Sequence, residues 1–196
     1  MSGEKEALIV VDMQCGFDDV RWGVRNNPDA ETRGLRVLRQ WRRLGRQVVV
    51  VRHDSTSPAS PLRPGSDGNA FKAGFEPQPG DWLIGKQVHS AFIGTDLEAR
   101  LRSAGIKSIT IFGITTDQCV STTTRMASNL GFAVTLVEDA CACFGQTAPD
   151  GGTVGADQIH LAHITTLRTE FAHVTTTDAI IRSLETMPCV LSAPAP

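Results

Sequence analysis

A cysteine in the first turn of a helix is a candidate nucleophile, and Cys119, within the stretch GITTDQCVSTT (residues 113–123), has that setting. With Thr116 as N-cap, Cys119 falls at the third helical position. Unpaired backbone N–H groups and the positive end of the helix dipole there are expected to lower a thiol pKa. The thiolate is the attacking form, and the same N–H groups can hold the oxyanion that forms as a carbonyl is attacked. Asp12 ends the apolar run ALIVV, and Lys86 ends the run DWLIG. A carboxylate or an ammonium beside such a run is costly unless paired, and the two can neutralise each other. The chain has only four lysines against fifteen arginines, so a lysine at a strand end suggests a need for a compact ammonium. An ammonium near the sulfur favours the thiolate. A carboxylate can act as base toward the thiol and then as acid toward a departing amine.

These three residues are far apart in the chain, so the elements must bring them together. Residues 7–12 read as a strand buried on both faces. Residues 29–44 carry Leu35, Leu38, Trp41 and Leu44 at helical spacing, with Gly45 as the stop. A second strand spans 47–51, followed by a Pro/Ser/Gly-rich loop to about residue 80. A loop that long within a compact domain suggests a pocket wall or lid. Strand 81–86 and helix 95–104 follow, the latter with a Thr95/Glu98 capping-box pattern. Strand 107–112, helix 117–130 and strand 132–137 come next. After a glycine-rich loop (145–155), the pattern gives helix 156–169, strand 171–174 and helix 177–184.

Alternating βα units imply a three-layer α/β sandwich: a doubly wound, mainly parallel six-stranded sheet with helices on both faces. Ligands bind outside the carboxyl ends of the strands in such sheets. If the strands are parallel, Asp12, Lys86 and the loop carrying Cys119 share that edge.

The remaining bounds are compositional. A chain of 196 residues with 41% hydrophobic content suits a single domain over 1–196. The formal net charge is −2, and the arginines between 33 and 46 are spread through a helical pattern, so no nucleic-acid partner is expected. No apolar run approaches the roughly 18 residues of a membrane span. The N-terminal MSGEKEALIVV lacks a signal-peptide pattern, and five cysteines are an odd number. A cytoplasmic protein with reduced thiols and no membrane partner is expected.

ALIVVDMQCGF (7–17), DWLIGKQVHSAF (81–92) and GITTDQCVSTTTRMASNLGFAVTLVEDAC (113–141) resemble the isochorismatase-like cysteine hydrolases. That superfamily includes nicotinamidases, N-carbamoylsarcosine amidases and related amidohydrolases. With the element order, the resemblance covers about residues 7–180. It implies a triad of Asp12, Lys86 and Cys119, and a cis peptide between Ile114 and Thr115. It also implies an oxyanion hole formed by the N–H groups of Thr115 and Cys119. The substrate would be a small molecule with an amide or ureido C–N bond, cleaved through a thioester without a cofactor. Gln14, Phe17, Phe92, Ile114 and Gln118 are expected to bind it, and His53, after the second strand, could also reach the site.

Nicotinamidases carry a metal-binding Asp-x-His pair where this chain has Arg52-His53-Asp54-Ser55, so no metal is expected and the metal-free branch is the better match. Isochorismatase itself lacks a cysteine nucleophile, so Cys119 speaks against vinyl-ether hydrolysis. The family also implies a homo-oligomer, dimer or tetramer. Other features read as structural. His160 and His163 lie three apart on a helix without a third ligand, Cys141 and Cys143 lack the redox spacing, and the 145–155 loop lacks a phosphate-binding pattern. The alternative function is a thiol-based redox sensor or a catalytically idle family member acting through protein interactions.

Overall fold

A computed structural model describes residues 5–186. Its strands are β1 (Glu6–Val11), β2 (Gln47–His53), β3 (Trp82–Lys86), β4 (Ser108–Gly113), β5 (Ala133–Val137), β6 (Gln146–Thr147), β7 (Thr153–Val154) and β8 (His173–Thr175). The helices are α1 (Ala30–Arg43), α2 (Leu97–Ser103), α3 (Ser121–Asn129), α4 (Ala156–Glu170) and α5 (Thr177–Thr186). Six strands form one sheet in the order β3-β2-β1-β4-β5-β8, with every pairing parallel. From β1 the chain winds outward through β2 to β3, then returns beside β1 as β4 and winds the other way. Right-handed crossovers in opposite directions place their helices on opposite faces. Accordingly α1 packs with α5, and α3 packs with α4.

Ala7 to Val11 have no solvent exposure, as the unbroken apolar run requires of a strand covered on both sides. The buried stripe of α1 is Ala30, Gly34, Val37, Leu38 and Trp41, while Leu35 and Leu44 are only partly covered. Gly34 is tolerated inside the helix because a Cβ there would lie 2.7 Å from the Phe112 ring. The arginines of this region enter ion pairs: Arg33 with Asp139, Arg42 with Asp81 and Arg46 with Glu6.

Two local expectations need correction. Thr95 and Glu98 form no capping box and Thr95 is not at the N-cap position of α2, although its Oγ1 accepts from the Leu97 N–H at 3.4 Å. Asp96 holds that position, while Thr95 Oγ1 donates to Ala91 O at 2.6 Å and Glu98 pairs with Arg102. The glycine-rich segment is not wholly loop, since β6 and β7 form a small antiparallel hairpin within it.

The sheet changes direction between β1 and β4, where open α/β sheets place their ligands. Register Val11↔Gly113 and register His53↔Lys86 bring four strand ends to this edge. Gly113 sits at φ 149°, and a Cβ on it would lie 2.0 Å from Val11 O. Val11 O cannot yield, because it belongs to paired backbone and accepts from the Ile114 N–H at 3.0 Å. Gly113→Ala is therefore expected to cost more than about 3 kcal/mol, read as a fall in the urea midpoint at unchanged slope.

Candidate active site

Asp12 follows the last residue of β1 and turns out of the strand at φ 52°, its N–H tied to Val51 O at 3.1 Å. Lys86 ends β3. Cys119 lies in a π-helical turn, Thr116–Val120, that runs into α3, and the Val120 N–H reaches Thr115 O at 3.1 Å. Thr115, rather than Thr116, occupies the N-cap position and makes no side-chain cap bond. Thr116 Oγ1 instead meets His160 Nδ1 on α4 at 2.9 Å. The Ile114–Thr115 peptide is cis.

Lys86 Nζ is the centre of the cluster. It donates to Asp12 Oδ2 at 2.6 Å and to Cys119 Sγ at 3.3 Å, and meets His53 Nδ1 at 3.1 Å. An ammonium has three protons, and each has one acceptor here. Asp12 Oδ1 is buried with no hydrogen-bond partner. Carboxylate, imidazole and sulfur offer ligand atoms all within 4.8 Å of one another. Asp12 and Lys86 are sealed at 0% and 1% exposure, whereas Cys119, at 6%, touches a cavity of about 350 Å³. An incoming molecule therefore meets the sulfur, with the acid and the ammonium behind it.

The electrostatics differ from the simple expectation of an acidified thiol. Burial pushes the Cys119 thiol well above its usual range and the Asp12 charge adds to this, more than Lys86 offsets. Burial also raises Asp12, with Lys86 opposing. The helix terminus is outweighed because the sulfur is shielded from water and lies beside a carboxylate. Thiol, carboxylate and ammonium together carry no net charge. Moving the thiol proton to Asp12 leaves that sum unchanged, so the nucleophile can form without releasing a proton to solvent.

His53 is pushed down to about 4, first by burial and then by its neighbours Lys86 and His89. An unfolded chain takes up a proton near pH 6.5 that the native ring refuses until about pH 4. Stability should thus fall as pH drops through that window. His53→Asn, which keeps an acceptor for Lys86 but cannot titrate, is expected to flatten the melting temperature between those pH values.

Of the expected substrate-binding residues, Phe17 and Gln118 line the cavity, as do Thr115 and Cys119 of the expected oxyanion hole. The other three lie elsewhere. Gln14 is spent on backbone: its amide donates to His53 O and Asn69 O and accepts from the His53 N–H, clamping the end of β2. Phe92 packs on Phe132, with ring centroids 5.9 Å apart. Ile114 is wholly buried beneath the turn. One wall is built by Phe17 with Trp22 and Phe144, with ring centroids 5.6 to 6.3 Å apart.

Sequence reasoning missed His89. Its Nδ1 lies 3.4 Å from Cys119 Sγ, and its ring stacks against His53 at 6.3 Å. The available signal was its place three residues beyond Lys86 in the loop leaving β3.

Asp12, His53 and Cys119 have metal-ligand types, but all three converge on Lys86 Nζ, which already supplies the positive charge at their centre. A metal ion would be forced against that ammonium. Asp54 is bound to Arg52 at 2.8 Å. The donor set does not fit a metal. His160 and His163 face the hydroxyls of Thr116 and Ser121. Cys141 and Cys143 are buried and pushed up to about 12 by desolvation, with each thiol donating to a backbone carbonyl at 3.3 Å.

The family model described as the isochorismatase domain matches residues 6–179. The chain belongs to the isochorismatase family. It is 44% identical to the isochorismatase family protein YrdC of Bacillus subtilis, over 91% of this chain and 95% of that one. A solved isochorismatase-family structure from Chromobacterium violaceum superposes with a TM-score of 0.91 at 42% identity, covering 95% and 97% of the two chains. The streptothricin hydrolase of Streptomyces noursei is 33% identical over 74% of this chain, a stretch that spans 52% of that protein. This isochorismatase-family chain has no helix among the described residues that is long and apolar enough to cross a membrane.

Proposed function

We propose that the protein is a cysteine amidohydrolase acting on a small, non-peptide amide or ureido compound. One observation carries the reading: a cavity-facing sulfur backed by a sealed ammonium and by a carboxylate whose one free oxygen lacks a partner. Cys119 attacks the carbonyl carbon as its proton passes to Asp12. The oxyanion is held by the N–H groups of Thr115 and Cys119. The C–N bond breaks as Asp12 returns that proton to the nitrogen, which otherwise could not leave. Water then adds to the thioester, its proton taken by Asp12, and the C–S bond breaks as the sulfur regains a proton and the acid departs. Lys86 holds sulfur and carboxylate in register through both steps. Membership of the family and the likeness to streptothricin hydrolase support hydrolysis.

The sensor alternative fits less well. Oxidant-sensing thiols are exposed and acidic, whereas Cys119 is 6% exposed and its thiol pKa is raised. The test is ammonia release from a panel of small carboxamides and ureas by wild type and Cys119→Ala, with intact mass of acid-quenched enzyme. An acyl adduct on Cys119 is expected. Equal turnover by the variant, or an adduct mapped elsewhere, overturns the reading.

A further inference from the structure

Building on the amidohydrolase reading, we propose that His53 and His89 form a donor–acceptor fork over Cys119, selecting amides that keep an N–H on the departing nitrogen. Proton counting gives each ring its tautomer. His53 Nδ1 faces Lys86 Nζ at 3.1 Å, and an ammonium only donates, so this nitrogen is the acceptor and the proton is on Nε2. At the sulfur, the attack proposed above begins with the thiol proton passing to Asp12. Once that proton has left, Cys119 Sγ is an acceptor only, with Lys86 Nζ at 3.3 Å and His89 Nδ1 at 3.4 Å. His89 must then donate through Nδ1, which leaves the Nε2 lone pair bare.

Both rings spend Nδ1 on the triad, both line the cavity, and they lie stacked at 6.3 Å with 24° between planes. Their outer edges thus present an N–H from His53 beside a lone pair from His89. A substrate satisfies this pair with an acceptor for the first and an N–H for the second. A carboxamide or ureido group supplies both, while esters and tertiary amides leave the His89 lone pair unmatched. A substrate seated in the cavity covers the exposed His89 edge and strips its water, so leaving that lone pair unpaired costs affinity. The aromatic wall of Phe17, Trp22 and Phe144 suits a planar apolar substituent beside that group.

Two measurements test the fork. Long-range ¹H–¹⁵N spectra of the imidazoles at pH 8 should show His53 as the Nε2–H tautomer and His89 as the Nδ1–H tautomer. The opposite assignment for either ring overturns the proposal. In the second, benzamide and N,N-dimethylbenzamide compete with iodoacetamide for Cys119. Benzamide is expected to protect at least tenfold better, and His89→Asn, which keeps a donor toward sulfur but lacks the outer lone pair, should erase the difference. Equal protection by the two probes, or none by either, overturns the fork. The hydrolase reading fails separately: correct tautomers and benzamide preference without Cys119-dependent ammonia release would leave the fork standing on an enzyme of other chemistry.

Discussion

Cys119→Ser is expected to lose at least a thousandfold in turnover, about 4 kcal/mol in the barrier, while folding as well as wild type. The substitution keeps size and hydrogen-bonding type, so packing is not at issue. What changes is the cost of moving a proton to Asp12. In the native cluster that transfer relocates one negative charge beside the same ammonium, and the raised affinity of buried Asp12 for a proton favours it. A hydroxyl holds its proton far more tightly than a thiol, and nothing in the cluster compensates, since Lys86 is shared equally in both states. Serine would need a stronger base than a carboxylate. A turnover within tenfold of wild type, measured as ammonia release, would mean that the attacking atom is not the side chain at 119.

The convergence of Asp12, Lys86 and Cys119 was legible in the sequence, whereas its electrostatics were not. Asp12, Lys86 and Cys119 each interrupt or follow an apolar run with a residue type that such a place does not favour, and that incongruity is local. The strands were legible for the related reason that β1 is an unbroken apolar stretch from Ala7 onward and β4 is interrupted only by Thr110 after its first residue. Whether burial or the helix end governs the thiol depends on depth and on distance to Asp12, which are properties of the assembled sheet edge. His89 is exposed, lies in an irregular loop and belongs to no periodic pattern, so only its distance from the sulfur reveals it. Gln14 and Phe92 show the converse. Nearness in sequence to a triad member suggested substrate contact, but alternation along the chain sends one side chain to the β2 backbone and the other to Phe132. The π-helical turn at Thr116–Val120 is likewise set by contacts made from outside it, such as His160 on Thr116, rather than by capping residues within it.

Lys86→Met should separate structure from catalysis at the Asp12 end of the cluster. The ammonium is the charged partner of a carboxylate with no exposure, so its removal leaves a buried anion and is expected to cost about 3–5 kcal/mol near neutral pH. Asp12 can escape part of that cost by keeping a proton. Its native pKa then rises further above the unfolded value, the native state binds more protons than the unfolded one, and stability of the variant falls as pH rises from about 4. The double variant Asp12→Asn/Lys86→Met removes both charges, and should recover most of the lost stability and lose the pH slope, because a buried pair contributes little net stability once both members are gone. Neither variant should turn over substrate, since one lacks the group that holds the sulfur and the other also lacks the proton carrier. Denaturant midpoints for the four members of this cycle between pH 5 and 8 decide the matter. A single variant as stable as wild type across that range would show that Lys86 does not neutralise Asp12. A double variant no more stable than Lys86→Met would show that the ammonium's stem, rather than its charge, holds this edge of the sheet together.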